Sequence, residues 1–297
     1  MRVRRLGTVQ VTTYGMFRDE KTHDYTVCYP ATESEDAVDT VIEANITGVQ
    51  DALRKEAIEA WGKWEVAKAA VRSLSIVNGM VATFPVVGDP TSSHPAVKFL
   101  AGVPGYKKDE AAKLGTGVHA VGEALNRGDA PSVSDTVRPL AERYYRGFIE
   151  SYRPQFHPDY IEFMVASVKY EYAGTMDMVC RIGGEVFLLD IKTSSKKIDL
   201  SPKGFPYPDT ALQLAAGRWA DFMGKPNDPK RYPIPPITRC GVVAVTPDDC
   251  QLIEYDVTPE DFRTFLAARK AWGWTQHRKE EVKRGPVAVP PVEVKAA

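Results

Sequence analysis

The sequence predicts an α/β fold, a mixed central sheet flanked by helices, preceded by a mostly helical N-terminal appendage. Three observations carry that expectation. Three β-rich runs, 161–170, 172–182 and 185–192, follow one another closely, the last two joined through Gly183-Gly184. Two more strand-like runs, 238–246 and 251–257, come later in the chain. Segments with helical spacing lie before, between and after them, at 107–127, 134–152, 209–223 and 259–276.

In chain order, residues 1–32 hold short β-like runs, at 7–13 and 25–29, that suit a hairpin or an edge. The acidic Glu33-Ser-Glu-Asp36 opens a stretch reaching Ser73. Its alternation of Ala, Lys and Glu around Trp61-Gly-Lys-Trp64 predicts a partly exposed amphipathic helix. Pro85, Gly88 and Pro90, with Pro95 close by, make 84–94 a loop. Helix 107–127 carries an apolar face of Leu114, Val118, Val121 and Leu125 and is closed by Gly128. Ser134 caps the next helix, and a loop with Pro202, Pro206 and Pro208 precedes the one at 209–223. The proline-bearing end, with Pro286, Pro290 and Pro291, predicts a flexible tail. The organisation expected is therefore an appendage over 1–106, a core over 107–283 and a tail over 284–297.

Composition sets the outer limits. Hydrophobic content of 43% and charged content of 26% fit an ordinary globular protein. The net charge of −1 excludes a general polycation, so any nucleic-acid binding needs a local basic groove. No run approaches the roughly 18 uninterrupted apolar residues of a spanning helix, and the basic N-terminus lacks an apolar signal region. A cytoplasmic protein without membrane partners is expected. Cys28, Cys180, Cys240 and Cys250 are scattered and form no CxxC pair, so ordinary buried thiols are expected rather than an iron–sulfur cluster.

The chemistry concentrates in Tyr172-Ala-Gly-Thr-Met-Asp177 and Glu185-Val-Phe-Leu-Leu-Asp190-Ile-Lys192. Each of two apolar β-rich runs ends in a carboxylate, and a hairpin brings both acids to one end of a sheet. Period-two alternation puts Asp190 and Lys192 on one face and Ile191 in the core. Two carboxylates and an ammonium converging on one spot suit a divalent cation and a polyanion, the requirements of metal-assisted phosphodiester hydrolysis. Mg2+ or Mn2+ would take oxygen from Asp177, Asp190 and the Ile191 backbone carbonyl, and Lys192 would orient the attacking water and offset developing charge. Taken singly, each aspartate better suits a strand end or turn cap, and it is Lys192 beside them that favours metal binding.

These residues resemble the PD-(D/E)XK nuclease superfamily, in particular its RecB-like exonuclease branch, which includes CRISPR-associated RecB-like nucleases and many phage exonucleases. Four motifs over about 107–225 carry the likeness. Gly115-Thr-Gly-Val-His119 resembles the helix bearing the histidine ligand, Gly174-Thr-Met-Asp177 the first acidic motif, Asp190-Ile-Lys192 the (D/E)XK motif, and Gln213-Leu-Ala-Ala-Gly217 the glutamine motif. Three departures stand out: Met176 replaces the proline of the family name, the second acid is Asp190 rather than glutamate, and Gly217 stands where a tyrosine is usual.

The resemblance implies a restriction-endonuclease-like core and a metal-dependent DNA exonuclease acting in end processing, recombination or phage replication, in the host cytoplasm if phage-borne. It implies His119 as a further metal ligand and Glu162 as an acid near the metal, through water or directly. Gln213 would be a hydrogen bonder of the active site or DNA backbone, with Arg218 on its helix, and Lys196 and Lys197, in the loop that follows Asp190-Ile-Lys192, would contact phosphates. Glu123, sharing a helical face with His119, either orients the imidazole or is a solvated acid. DNA is the expected partner, with a second copy of the chain and a recombination or single-strand-annealing protein as further candidates. A structure-specific endonuclease and a catalytically silent DNA-binding subunit remain the alternatives.

Overall fold

Gly183 and Gly184, at φ +58° and +91°, make the turn that joins strands β5 (Tyr172–Ile182) and β6 (Glu185–Thr193). That hairpin is the centre of the fold. The computed structural model describes residues 14–30, 37–51, 53, 55–86, 88, 90–277, 279 and 282. Strand β4 (Gln155–Ser167) lies antiparallel to β5, and β7 (Phe222–Gly224) continues beyond it. On the other side β8 (Arg239–Val245) runs parallel to β6, with β9 (Cys250–Tyr255) folded back on it. The six-stranded mixed sheet has the order β7-β4-β5-β6-β8-β9. A parallel neighbour needs a long crossover, and the chain from 194 to 238, carrying helix α6 (Thr210–Arg218), supplies it.

Alternation along β6 and β8 builds two cores. Leu188, Val242 and Ala244 face α6, α7 (Pro259–His277) and α1 (Ile46–Asp51) through Leu214, Phe265, Ala268 and Val49. Leu189, Ile191, Val243 and Val245 face α4 (Pro95–Asn126) and α5 (Arg138–Tyr144), which contribute Val118, Val121, Leu140 and Tyr144. The result is a mixed α/β architecture with helices on both faces of the sheet, as the sequence predicts at that level. The predicted helix at 134–152 is α5 continued by a π-helical turn over Tyr145–Glu150.

A second sheet, β1 (Gly15–Arg18), β2 (Tyr25–Tyr29) and β3 (Val38–Ile42), sits on the edge of the first. Its Met16, Tyr25, Val27 and Ile42 pack against Ala166, Ala173 and Phe222. The segment from Asp36 to Ser73, expected to be helical throughout, instead begins with strand β3. Val38, Thr40, Val41 and Ile42 are β-branched and pair antiparallel with β2, and helix begins only at Ile46, where Asn45 Oδ1 accepts the Gly48 N–H at 2.7 Å. The expected strand at 7–13 and the tail at 284–297 lie outside the described residues.

Helix α2 (Lys55–Arg72) and α3 (Leu74–Thr83) then lead to α4, which is longer than the predicted 107–127. Pro95 occupies its first turn, and His94 Nδ1 accepts the Ala96 N–H at 3.2 Å. Although Pro104 lies inside it, α4 runs unbroken through residues 106 and 107. At the far end of the crossover, helix stops at Arg218 rather than 223, because residues 222–224 pair with β4 as β7. No described helix is long and apolar enough to cross a membrane.

Gly174 offers a test of this packing. A Cβ there would come 2.4 Å from Ile46 Cδ1, in the core beneath α1. Gly174→Ala is expected to cost about 1–3 kcal/mol by overpacking, read as a lower denaturation midpoint. An unchanged midpoint would show that α1 is not seated on β5.

Candidate metal centre

The β5–β6 ladder ends at Met178↔Leu189, and beyond it the strands part. The Ile191 N–H, left without a strand partner on that side, donates to Asp177 Oδ2 at 2.6 Å. One buried carboxylate thus closes the fork. In an extended strand the N–H and C=O of one residue point to the same side, so the Ile191 carbonyl also faces β5. Helix α4 approaches from above. A Cβ on Gly122 would come 2.9 Å from Ile191 Cδ1, so the glycine lets α4 rest directly on that side chain. The approach brings His119 Nδ1 to 3.4 Å from Asp177 Oδ2.

Glu162 enters from β4 through a distortion. The β4–β5 register slips between Phe156 and Ile161, and Glu162 takes φ +50°, a left-handed conformation unfavourable for a side chain. Arg127, at the C-terminus of α4, holds the bulge in place. Its guanidinium donates to the carbonyls of Ile161 at 3.1 Å and Pro158 at 3.3 Å, and Glu123 Oε1 accepts from it at 3.1 and 3.2 Å. Glu123 therefore orients Arg127 and, through it, the bulge that carries Glu162. The ligand atoms of His119, Glu162 and Asp177 all lie within 4.8 Å of one another. Two carboxylates and an imidazole at that spacing form a donor set that fits a divalent cation.

Asp190 lies beside this cluster. It is fully buried; Gln213 Nε2 donates to its Oδ1 at 2.7 Å, and Lys192 Nζ stands 2.8 Å from its Oδ2. Lys192 also donates to Gln213 Oε1 at 3.1 Å. Asp190, Lys192 and Gln213 thus form a closed triangle joining β6 to α6. The predicted shared face of Asp190 and Lys192, with Ile191 in the core, is what the strand shows. The structure brings Asp177, Asp190, Lys192, Gln213, His119 and Glu162 to one end of the sheet, in two linked groups.

The electrostatics follow from burial. For Glu162, burial first and the Asp177 charge second push the carboxyl up to about 8. Burial works against a charged His119, but Asp177 beside it overcomes this and raises it to about 9. Burial likewise works to raise Asp177, and the His119 charge holds it below the ordinary range. Asp190 is raised by burial, against the pull of Lys192.

A pH dependence follows, with its sign. In the metal-free protein Glu162 and His119 keep protons to about 8 and 9, above their ordinary 4.5 and 6.5. Their stabilising contribution is complete below those ordinary values and is lost as pH rises through 8 to 9. The melting temperature of the metal-free protein is expected to fall between pH 7 and 9. A cation must displace both protons, so Mn2+ affinity should rise over the same range, with proton release in calorimetry. Affinity independent of pH would remove His119 and Glu162 from the ligand set.

The remaining sequence candidates sit apart from this cluster. Arg218 donates to the Val257 carbonyl at 3.2 Å and stacks on Trp219. Lys196 reaches Tyr207 Oη at 3.2 Å, and Lys197 is exposed in the same loop. Cys240 and Cys250 lie at opposite ends of the β8–β9 ladder. Cys180 is in the core beneath α5, its thiol pushed up to about 12 by burial. Met176 and Gly217 lie against one another, since a Cβ on Gly217 would come 2.7 Å from Met176 Sδ. The Met176 side chain fills the space that a side chain at 217 would need. Sequence reasoning passed over Arg127, for which chain position offers no signal.

No family model matches the chain, and no curated protein does. A solved structure, that of SSO0001, is similar over 79% of this chain and 76% of its own, at 14% identity and a TM-score of 0.31. That score is too low for the likeness to bear on fold or function.

Proposed function

We propose that the chain is a metal-dependent deoxyribonuclease with a restriction-endonuclease-like core, acting as an exonuclease of the RecB-like type. One observation carries the reading: the Asp177 and Asp190–Lys192 motifs meet where β5 and β6 part, beside His119 of α4. The local order of helix, antiparallel strands and following helix agrees with the motif order of that superfamily.

His119, Glu162 and Asp177 would hold the ion, and the oxygen-rich set favours Mg2+ or Mn2+. When bound, such an ion lowers the pKa of a water and offsets charge on a phosphate. The other residues do the positioning. Asp190 and Gln213 fix the Lys192 ammonium beside the cluster, where it can donate to a phosphate oxygen as charge develops. Because Asp190 and Gln213 are both buried, that ammonium is preorganised.

End-labelled linear duplex and closed circular duplex, each with Mn2+ and with chelator, test the reading. Release of short products from linear DNA alone, only with the metal, is the expected result. Cutting of the closed circle would make the protein an endonuclease. Metal binding and DNA binding without cleavage of either substrate would make it a silent subunit.

A further inference from the structure

We infer that Arg18, on the N-terminal sheet, is a phosphate-binding residue of this site, holding a backbone phosphate of the nucleic acid next to the metal cluster. The inference rests on the nuclease reading and adds a wall to the substrate groove. The register places the residue. Arg18 pairs directly with Tyr25 across β1 and β2, so their side chains share a face. Met16 and Val27 share that face and are buried against the large sheet, which fixes the hairpin to it. Tyr25 Oη lies 2.9 Å from Thr175 Oγ1, and Thr175 precedes Asp177 by two residues on β5. The end of the hairpin therefore stands at the mouth of the cluster.

The guanidinium is exposed and, among the described residues, makes no ion pair with a carboxylate. It is held in position by an uncommon partner. Arg18 Nη2 lies 2.6 Å from His23 Nδ1, and His23 takes φ +61° at the end of the turn. Asp19 builds that turn: its Oδ1 accepts the N–H groups of Lys21 and Thr22 at 2.7 and 2.8 Å, and its carbonyl accepts that of His23 at 2.9 Å. A fixed arginine, not neutralised by an acid among the described residues, stands at the rim of an acidic cluster. Its planar fork matches phosphate geometry better than an ammonium would. Lys192 lies on the β6 side of the cluster and Arg18 on the β1 side, so a strand crossing the metal would meet a cation on each side.

The test uses the full chain and a fluorescent oligonucleotide, with Ca2+ in place of Mn2+ to hold the substrate uncut. Arg18→Gln is expected to weaken binding about tenfold, the loss of one charge-assisted contact. The slope of log affinity against log salt should fall by about one ion. Mn2+ affinity, measured by calorimetry, should stay at the wild-type value. Arg18→Lys should keep the salt slope and bind between the other two. Unchanged affinity and slope in Arg18→Gln would overturn the inference, as would weakening that comes with lost Mn2+ affinity, since Arg18 would then act only through Glu162. Wild-type protein that binds Mn2+ but no oligonucleotide would instead overturn the nuclease reading.

Discussion

Asp177→Asn is expected to keep the chain folded while lowering Mn2+-dependent DNA hydrolysis by about a thousandfold. The substitution is nearly isosteric, and an asparagine Oδ1 can still accept the Ile191 N–H that Asp177 accepts at 2.6 Å. What disappears is the charge shared among His119, Glu162 and Ile191. A metal stabilises transition-state charge by several kcal/mol, and each 1.36 kcal/mol is tenfold in rate, which sets the scale. Two further signs come with it. His119, raised to about 9 chiefly because Asp177 outweighs its burial, should titrate lower in the variant, as followed by NMR. Glu162, pushed up partly by the same charge, should also fall from about 8. Activity above a tenth of wild type, with an unchanged melting temperature, would show that Asp177 is not a ligand.

How far the sequence reveals this site depends on how local each part is. The β5–β6 hairpin and its acids are legible because a Gly-Gly turn, period-two alternation and the Asp190-Ile-Lys192 spacing all act within a few residues. His119 is legible only through the likeness of Gly115-Thr-Gly-Val-His119 to the histidine motif, because an imidazole on the apolar face of a helix by itself suits the core. The division of labour between the acids is not. Asp190 is expected among the ligands; without the ion, its two oxygens face Gln213 of α6 and Lys192, while the ligand atoms that cluster are those of His119, Glu162 and Asp177. Glu162 owes its place to a bulge held by Arg127 from another helix, a tertiary contact that no local pattern encodes. The strand at 38–42 was hidden for a similar reason. Its extended form depends on β2, whereas the neighbouring Ala, Lys and Glu favour helix on their own.

Lys192→Met separates what the ammonium does for the fold from what it does for the reaction. Asp190 Oδ2 is sealed from solvent and faces Lys192 at 2.8 Å without a directed hydrogen bond. Removing the cation leaves a buried carboxylate half satisfied, and breaking such a pair costs about 3–5 kcal/mol. Burial already raises the Asp190 carboxyl above its ordinary 3.8, and Lys192 holds that rise in check. Without Lys192 the carboxyl rises further and takes a proton. With its folded value above the unfolded one, the stabilising proton is present at low pH and lost as pH rises. The deficit of Lys192→Met relative to wild type should therefore be small near pH 5 and grow toward pH 8, measured by denaturant melts. Asp190→Asn added to Lys192→Met should restore most of the stability, since a neutral amide can still accept from Gln213. It should restore none of the activity, which is expected to stay down by a factor of about 10²–10³ as a lost charge-stabilising donor. A double variant that regained hydrolysis along with stability would assign Lys192 to the fold and leave the phosphate chemistry without its donor.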